Sequence, residues 1–398
     1  MHEAAKRKLI KTSTVPTSLD TFCRGQLKML SRYYEVVAVS SPLKELDDIR
    51  IREGVRCEAV PMERHISIIK DFKSLVGMIR LFCKEKPYIV HSMTPKAGLI
   101  SMVAAWITRV PIRIHTYTGL VFPTSRGIQK FILILMDKIL CHCATYINPE
   151  GYGVANDLRQ ITKKPLHIIG NGNVRGIDID YWKRGIASPP DSTLLKKIEG
   201  HFVFLFVGRL VKDKGINELV AAFKRLQCEK DGEKDGEKDA KVSLLLVGRF
   251  EESLDPLRPE TIHEIKENED IIAVGEASDV RPYYDIADAF VFPSYREGFP
   301  NTVLEAGAMG LAQIVTDING ANEIIKDKRN GLIIPPKSED DILGAMRTLL
   351  KDSALRKKMS ENARNMVTER FEQKYIWSEL LKTYENLVSE SGKKQSKK

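Results

Sequence analysis

The chain reads as an α/β protein of two doubly wound parallel-sheet domains, and three observations carry that reading. Short unbroken runs of Val, Ile, Leu and Phe recur along its 398 residues, the pattern of strands buried on both faces. Helical stretches separate consecutive runs, as parallel strands require. Midway the alternation is broken by a polar bridge, 183–200, with Pro189 and Pro190, and then starts again.

The first series places strands at 9–13, 35–40, 56–60, 89–91, 112–116, 146–148 and 166–169. The second places them at 202–207, 243–247, 271–273, 289–292, 312–316 and 331–334. This gives a Rossmann-like first domain over 1–182, a linker over 183–200 and a Rossmann-like second domain over 201–370. A helix over 371–390 follows, and the basic end SGKKQSKK, 391–398, reads as a disordered tail. The charged repeat EKDGEKDGEKDA, 229–240, has too little apolar surface to pack and reads as a mobile loop.

Composition limits the function. Hydrophobic residues make up 43% and charged residues 29%, a globular balance. The six cysteines, Cys23, Cys57, Cys83, Cys141, Cys143 and Cys228, form no paired framework, so reduced thiols in a cytoplasm are expected. Cys141-His142-Cys143 lacks the second ligand pair that structural zinc needs. Early charges at Glu3, Lys6, Arg7 and Lys8 leave no room for a signal-peptide core, and no apolar stretch reaches bilayer length. The net charge of +9 points to an anionic partner. Nucleic acid is not expected, because no basic stripe interleaves with aromatics. An anionic membrane surface is expected, because basic residues lie on apolar-faced segments: Arg24, Lys28 and Arg32; Lys70, Lys73, Arg80 and Lys84; Lys130 and Lys138 beside Ile132, Leu133 and Leu135. The protein is thus expected in the cytoplasm, peripheral on the inner face of the plasma membrane.

Two strand ends carry the chemistry. The run 202–207 stops at Gly208-Arg209, and a helix begins after Lys214-Gly215. Open α/β sheets bind ligands at such carboxyl ends. Arg209 offers a planar fork and Lys214 a mobile point charge, together able to balance a diphosphate without a metal. Gly248, Arg249 and Val274 end the neighbouring strands and would frame a base through backbone groups. The second end is that of strand 289–292. Gly298 and Pro300 break the chain there, Asn301 is expected to cap a helix from Thr302, and the N–H groups around Gly298, Phe299, Pro300, Asn301 and Thr302 can hold an anion. Glu297 and Glu305 flank this turn, and carboxylates accept well from vicinal hydroxyls, those of a sugar and a ribose. A solvated loop charge and a dipole-complementing acid are the alternatives for the two.

GRLVKDKG, 208–215, followed by REGFPNTVLEAGAMG, 296–310, resembles the donor-binding half of the retaining glycosyltransferases of family 4, which have the GT-B fold with an interdomain cleft. Further matches are VHSMTPKAGLIS at 90–101, RIHTYTGLVFP at 113–123, GNGNVRGIDIDYW at 170–182 and DVRPYYDIADAFVFPS at 279–294. The combination is similar to the branch that builds bacterial capsule, exopolysaccharide or O-antigen repeats. The resemblance implies a retaining hexosyltransferase with a nucleotide-sugar donor, UDP-linked, and a polyprenyl-diphosphate-linked saccharide acceptor. It implies no cofactor and no metal, and a last helix that crosses back to the first domain. Leaving-phosphate charge would fall on Arg209, Lys214 and the N–H groups of 298–302, with Glu297 on the sugar and Glu305 on the ribose.

In the first domain His115 is expected at a strand tip facing the cleft, where the resemblance implies contact with the transferred sugar; a satisfied, partly buried histidine is the alternative. Many relatives carry a histidine where Thr118 stands. Lys96 and Arg64 are acceptor-side candidates. Asp178 and Asp180 match a metal-binding acid pair of a different glycosyltransferase fold, but beside Tyr181-Trp182 they read as turn residues. Rival readings are a sugar-nucleotide epimerase or phosphorylase on the same fold, or a non-catalytic subunit of a polysaccharide assembly complex. A dehydrogenase is disfavoured, since Gly170, Gly172 and Gly176 have the wrong spacing for a dinucleotide fingerprint.

Overall fold

A computed structural model describes residues 6–63, 65, 67–232, 241–251 and 255–395. The apolar runs form two parallel six-stranded sheets. The first holds β1 (Lys8–Thr12), β2 (Glu35–Ser40), β3 (Arg56–Ala59), β4 (Ile89–Met93), β5 (Ile112–Tyr117) and β6 (Tyr146–Pro149). Its order is β3-β2-β1-β4-β5-β6. The second holds β7 (His201–Val207), β8 (Lys241–Val247), β9 (Ile271–Gly275), β10 (Ala289–Phe292), β11 (Ala312–Thr316) and β12 (Leu332–Ile334), in the order β12-β11-β10-β7-β8-β9. Both sheets are thus wound in two directions from their first strand. The reversal lies between β1 and β4 in one and between β7 and β10 in the other, and open α/β sheets bind ligands at the carboxyl ends of such a pair.

The expected strand at 166–169 does not form. Leu166 makes a single bridge to Ile147, and His167 N–H donates to Ile147 O at 3.0 Å, so the first sheet ends at β6.

The chain divides into one compact unit of Met1–Gly176 with Gln373–Lys398 and another of Ile177–Glu372. The junctions therefore lie at 176 and 372, whereas the sequence suggested 182 and 370. The reason is local: Ile177 N–H donates to Phe371 O at 2.8 Å, and Ile177 bridges Glu372. The stretch read as a linker is part of the second unit. Arg184 donates to the carbonyls of Met309 and Ala287 at 2.9 and 2.8 Å, and Ser192–Lys197 is helical.

The last helix, Gln373–Gln395, belongs to the first unit. It buries Ile376, Leu380 and Tyr384, and Tyr384 OH lies 2.6 Å from His91 Nδ1. Trp377 Nε1 donates to Arg175 O at 3.0 Å. The helix runs on through 391–395, so the expected disorder does not start at 391; 396–398 lie outside the described residues. Likewise the helix Ile216–Gly232 enters the charged repeat, where Glu229 pairs with Arg347; residues 233–240 lie outside the described residues.

The second unit's core is dense in aromatics. Phe206, Phe290 and Phe292 stack across β7 and β10 with ring centroids about 6 Å apart. That packing fixes the two strands whose ends carry the candidate site.

Candidate active site

Three adjacent strands of the second unit run out into Gly208, Gly248 and Gly275, and their tips are tied together. Gly208 N–H donates to Val247 O at 2.9 Å, Gly248 N–H to Gly275 O at 2.8 Å and Leu210 N–H to Arg249 O at 2.8 Å. Gly248 has φ 148°, and a Cβ there would overlap Gly208 O. Backbone lies against backbone, which only glycine permits. Arg249 and Phe250 project from this edge and are exposed, while Val274 in β9 is half-buried.

The loop after β7 and the loop after β10 interlock. Tyr295 N–H donates to Asp213 O at 2.8 Å, Ser294 Oγ lies 3.3 Å from the same carbonyl, and Arg296 reaches Asp213 at 3.2 Å. Gly215, φ 71°, has no room for a Cβ against Pro293 O. Lys214 Nζ pairs with Glu297 Oε1 and stands 5.3 Å from the centroid of the Phe292 ring. Ser294 Oγ donates to the same Glu297 oxygen at 2.9 Å. Lys214 and Glu297, 83 residues apart in sequence, are thus brought into direct contact. Their side chains are only 17% and 18% exposed, where an ion pair is screened less than on open surface. Arg209 sits on the first of these loops, paired with Glu251.

The helix after the second loop starts at Asn301 itself, with Pro300 as N-cap and no side-chain cap bond. Asn301 is therefore the first helical residue and not the cap, because proline fixes the extended approach one residue earlier. Gly298, Phe299 and Pro300 are buried: Phe299 packs edge-on to Phe371 at 5.5 Å, and Gly298 O lies against Gly320. Thr302 is half-buried, and its carbonyl accepts from Tyr284 OH at 3.3 Å. Glu305 is 6% exposed, one turn into the helix. Sequence reasoning found both loops but missed Asp213, Ser294 and Glu251. Nothing in a polar loop residue signals which distant partner it meets.

In the first unit the sequence reading of His115 needs correction. β5 runs on to Tyr117, so His115 lies within the sheet rather than at its tip. It is 1% exposed, with Nδ1 2.8 Å from Ser92 Oγ and its ring edge-on to Tyr117 at 4.4 Å. Gly98 is glycine because a Cβ there would strike the imidazole. Thr118, half-buried, is the first residue past the strand. Lys96 is 8% exposed and bound to Asp71 at 2.7 Å and to His65 O, so it joins the helix Pro95–Ile107 to the helix Ile68–Glu85. Arg64 lies outside the described residues. Asp178 Oδ1 accepts from the N–H groups of Asp180 and Tyr181 at 3.1 and 3.0 Å, a turn motif. Cys141 contacts Tyr117 OH at 3.2 Å, and among the described residues no three His, Cys, Asp or Glu side chains gather as a metal-ligand set.

Burial pushes the His115 imidazole down to about 3 from an ordinary value near 6.5. The unfolded chain then takes a proton below pH 6.5 that the folded chain refuses until about pH 3. Stability from neutral His115 is complete above pH 6.5 and is lost as pH falls toward 3. Denaturant titrations between pH 6.5 and 4 should show a slope that His115→Gln reduces by up to about 1.4 kcal/mol per pH unit. Equal slopes would show that the ring is already charged in the fold.

Comparison with known proteins decides the family. Residues 192–366 match the model described as glycosyl transferases group 1, and residues 16–150 match glycosyl transferase 4-like. Over 389 residues the chain is 33% identical to the capsular polysaccharide biosynthesis glycosyltransferase CapM of Staphylococcus aureus, covering 97% of this chain and 98% of that one. The chain belongs to the glycosyl transferases of group 1. This glycosyltransferase is also 30% identical, over 83% of each chain, to the UDP-Gal:alpha-D-GlcNAc-diphosphoundecaprenol alpha-1,3-galactosyltransferase of Escherichia coli. A crystal structure of Anabaena HepE in complex with UDP and glucose superposes with a TM-score of 0.77 at 16% identity, over 96% of this chain and 100% of that chain. The likeness is one of fold: two doubly wound domains of the GT-B type. The glycosyltransferase thus sets its interlocked loops at the switch point of the sheet in its second unit.

Proposed function

We propose that this glycosyltransferase is a retaining, metal-independent hexosyltransferase. Its donor is a nucleotide-sugar, UDP-linked, and its acceptor is a polyprenyl-diphosphate-linked saccharide in the synthesis of a bacterial surface polysaccharide. The observation that carries the reading is the interlock of the Gly208–Gly215 and Pro293–Asn301 loops, which brings Lys214 against Glu297. As the anomeric bond breaks, negative charge grows on the leaving phosphate; Arg209, Lys214 and the N–H groups of Gly298, Phe299, Asn301 and Thr302 stabilise it. Once the phosphates draw them from their carboxylate partners, these two cations take the place that a metal would otherwise fill. Glu297 accepts from the sugar's hydroxyls and Glu305 from the ribose, while Gly248, Arg249 and Val274 frame the base. By family resemblance the acceptor attacks from the face the phosphate leaves, and the phosphate takes its proton. Lys96, held by Asp71, stays on the acceptor side as a positioning residue.

Both the UDP donor and the lipid-linked acceptor draw support from the activity of the Escherichia coli relative. The acceptor's lipid calls for a membrane surface, and the first unit offers one. The helix Gly127–Cys143 exposes Ile128, Phe131, Ile132, Leu135 and Ile139 along one face. The helix Ile68–Glu85 exposes Ile68, Ile69 and Phe72 at its start. Exposed Lys70, Lys73, Lys130 and Lys138 surround these apolar residues, a pairing that suits anionic lipid. Among the described residues no helix is long and apolar enough to cross a membrane.

The test is incubation with a panel of sugar nucleotides and membrane vesicles bearing polyprenyl-diphosphate saccharides, with and without chelator. Transfer with retained configuration, undiminished by chelator, is the expected result. Transfer that requires a divalent ion overturns the metal-free reading, and isomerised donor without transfer overturns the activity. Protein that stays in the supernatant with anionic vesicles at low salt overturns the membrane reading.

A further inference from the structure

We propose that Glu251, on the loop after β8, is an internal rival of the donor's phosphate: it holds the Arg209 guanidinium, yields it when the nucleotide binds, and takes it back as the nucleoside diphosphate leaves. The proposal rests on the reading of Arg209 as a phosphate ligand given above.

Arg209 Nη1 and Glu251 Oε2 form an ion pair between side chains 49% and 13% exposed. The carboxylate therefore lies on the protein side and the guanidinium on the open side. Both flanks of the Glu251 loop are fastened to the loop of Arg209. Leu210 N–H donates to Arg249 O at 2.8 Å, Lys212 N–H to Asp255 O at 3.2 Å, and Asp213 N–H to Asp255 Oδ2 at 2.6 Å. The rival acceptor is thus built into the same framework as the cation it holds.

Charge decides what this does to binding. Arg209 pairs with Glu251 and Lys214 with Glu297, so these four charges sum to zero. A nucleoside diphosphate adds at least two negative charges to them. Glu297 keeps a partner when Lys214 turns to a phosphate, because Ser294 Oγ stays 2.9 Å away and sugar hydroxyls can donate to it. At Glu251 the arriving phosphate competes for Arg209 and brings like charge against the carboxylate. Part of the phosphate's attraction to Arg209 therefore goes into displacing a carboxylate. That weakens nucleotide binding and favours release of the spent diphosphate.

Glu251→Gln separates charge from placement, since the amide oxygen can still accept from Arg209. With UDP as the probe in calorimetric titration at low salt, the variant is expected to bind roughly fivefold more tightly than the natural chain, the scale of one partly exposed ion pair. In an Arg209→Ala background the gain should vanish, because the two residues act as one coupled pair. Unchanged or weaker UDP binding in Glu251→Gln, with its melting temperature kept, overturns the proposal and leaves Glu251 as a brace for Arg209. The same gain persisting without Arg209 also overturns it, leaving only diffuse repulsion. Should Arg209→Ala alone leave UDP affinity intact, the phosphate reading of the site falls, and this proposal with it.

Discussion

Lys214→Ala is expected to lower kcat/KM for the nucleotide-sugar donor by about a hundredfold, the cost of removing one preorganised charge from a leaving group, roughly 3 kcal/mol. Two effects act in the same direction. The ammonium no longer meets the developing phosphate charge, and the Glu297 carboxylate it held is left to repel that charge. The melting temperature should move little, since both side chains keep some contact with water and the two loops stay joined through Tyr295 N–H and Asp213 O. Lys214→Arg should recover part of the rate, because the charge returns in a different shape. A Lys214→Ala protein with full turnover would remove the residue from the chemistry.

Gly248→Ala carries the largest expected cost to the fold. At φ 148° a side chain is strained on its own account, and the added methyl would overlap Gly208 O. Backbone cannot swing aside as a flexible side chain can, so the tips of β7 and β8 must part. We expect at least ~3 kcal/mol of destabilisation and a melting temperature lower by roughly 10 °C. Donor binding should fall with it, because the same displacement moves Arg209. A melting temperature within ~2 °C of the natural chain would show that the strand tips are less tightly packed than their geometry indicates.

The architecture was legible because buried parallel strands announce themselves as unbroken apolar runs. HFVFLFV and KVSLLLV could be little else, and both are strands. Leu166–Ile169 misled for the same reason, since a short apolar run also serves a segment that touches a sheet at one residue. The two site loops were legible through their glycines and their position after strands. Their interlock was not, because Asp213, Ser294 and Tyr295 meet only when β7 and β10 lie side by side. His115 was read as a tip, yet the strand runs two residues beyond it. Extending β5 to Tyr117 turns the imidazole from a tip into the packing between sheet and helix. Asn301 looked like a cap, yet Pro300 takes that position. Glu297 was legible as a site residue, but its pairing with Lys214, and Glu251 as the partner of Arg209, carry no local sequence signal, since each partner lies on a separate loop.

A crystal structure of this chain with a nucleoside diphosphate bound would test the central claim most directly. Phosphate oxygens are expected within hydrogen-bond distance of Arg209, Lys214 and the backbone N–H groups between Gly298 and Thr302. A diphosphate seated elsewhere on the second unit, with Lys214 still on Glu297 and Arg209 still on Glu251, would contradict it.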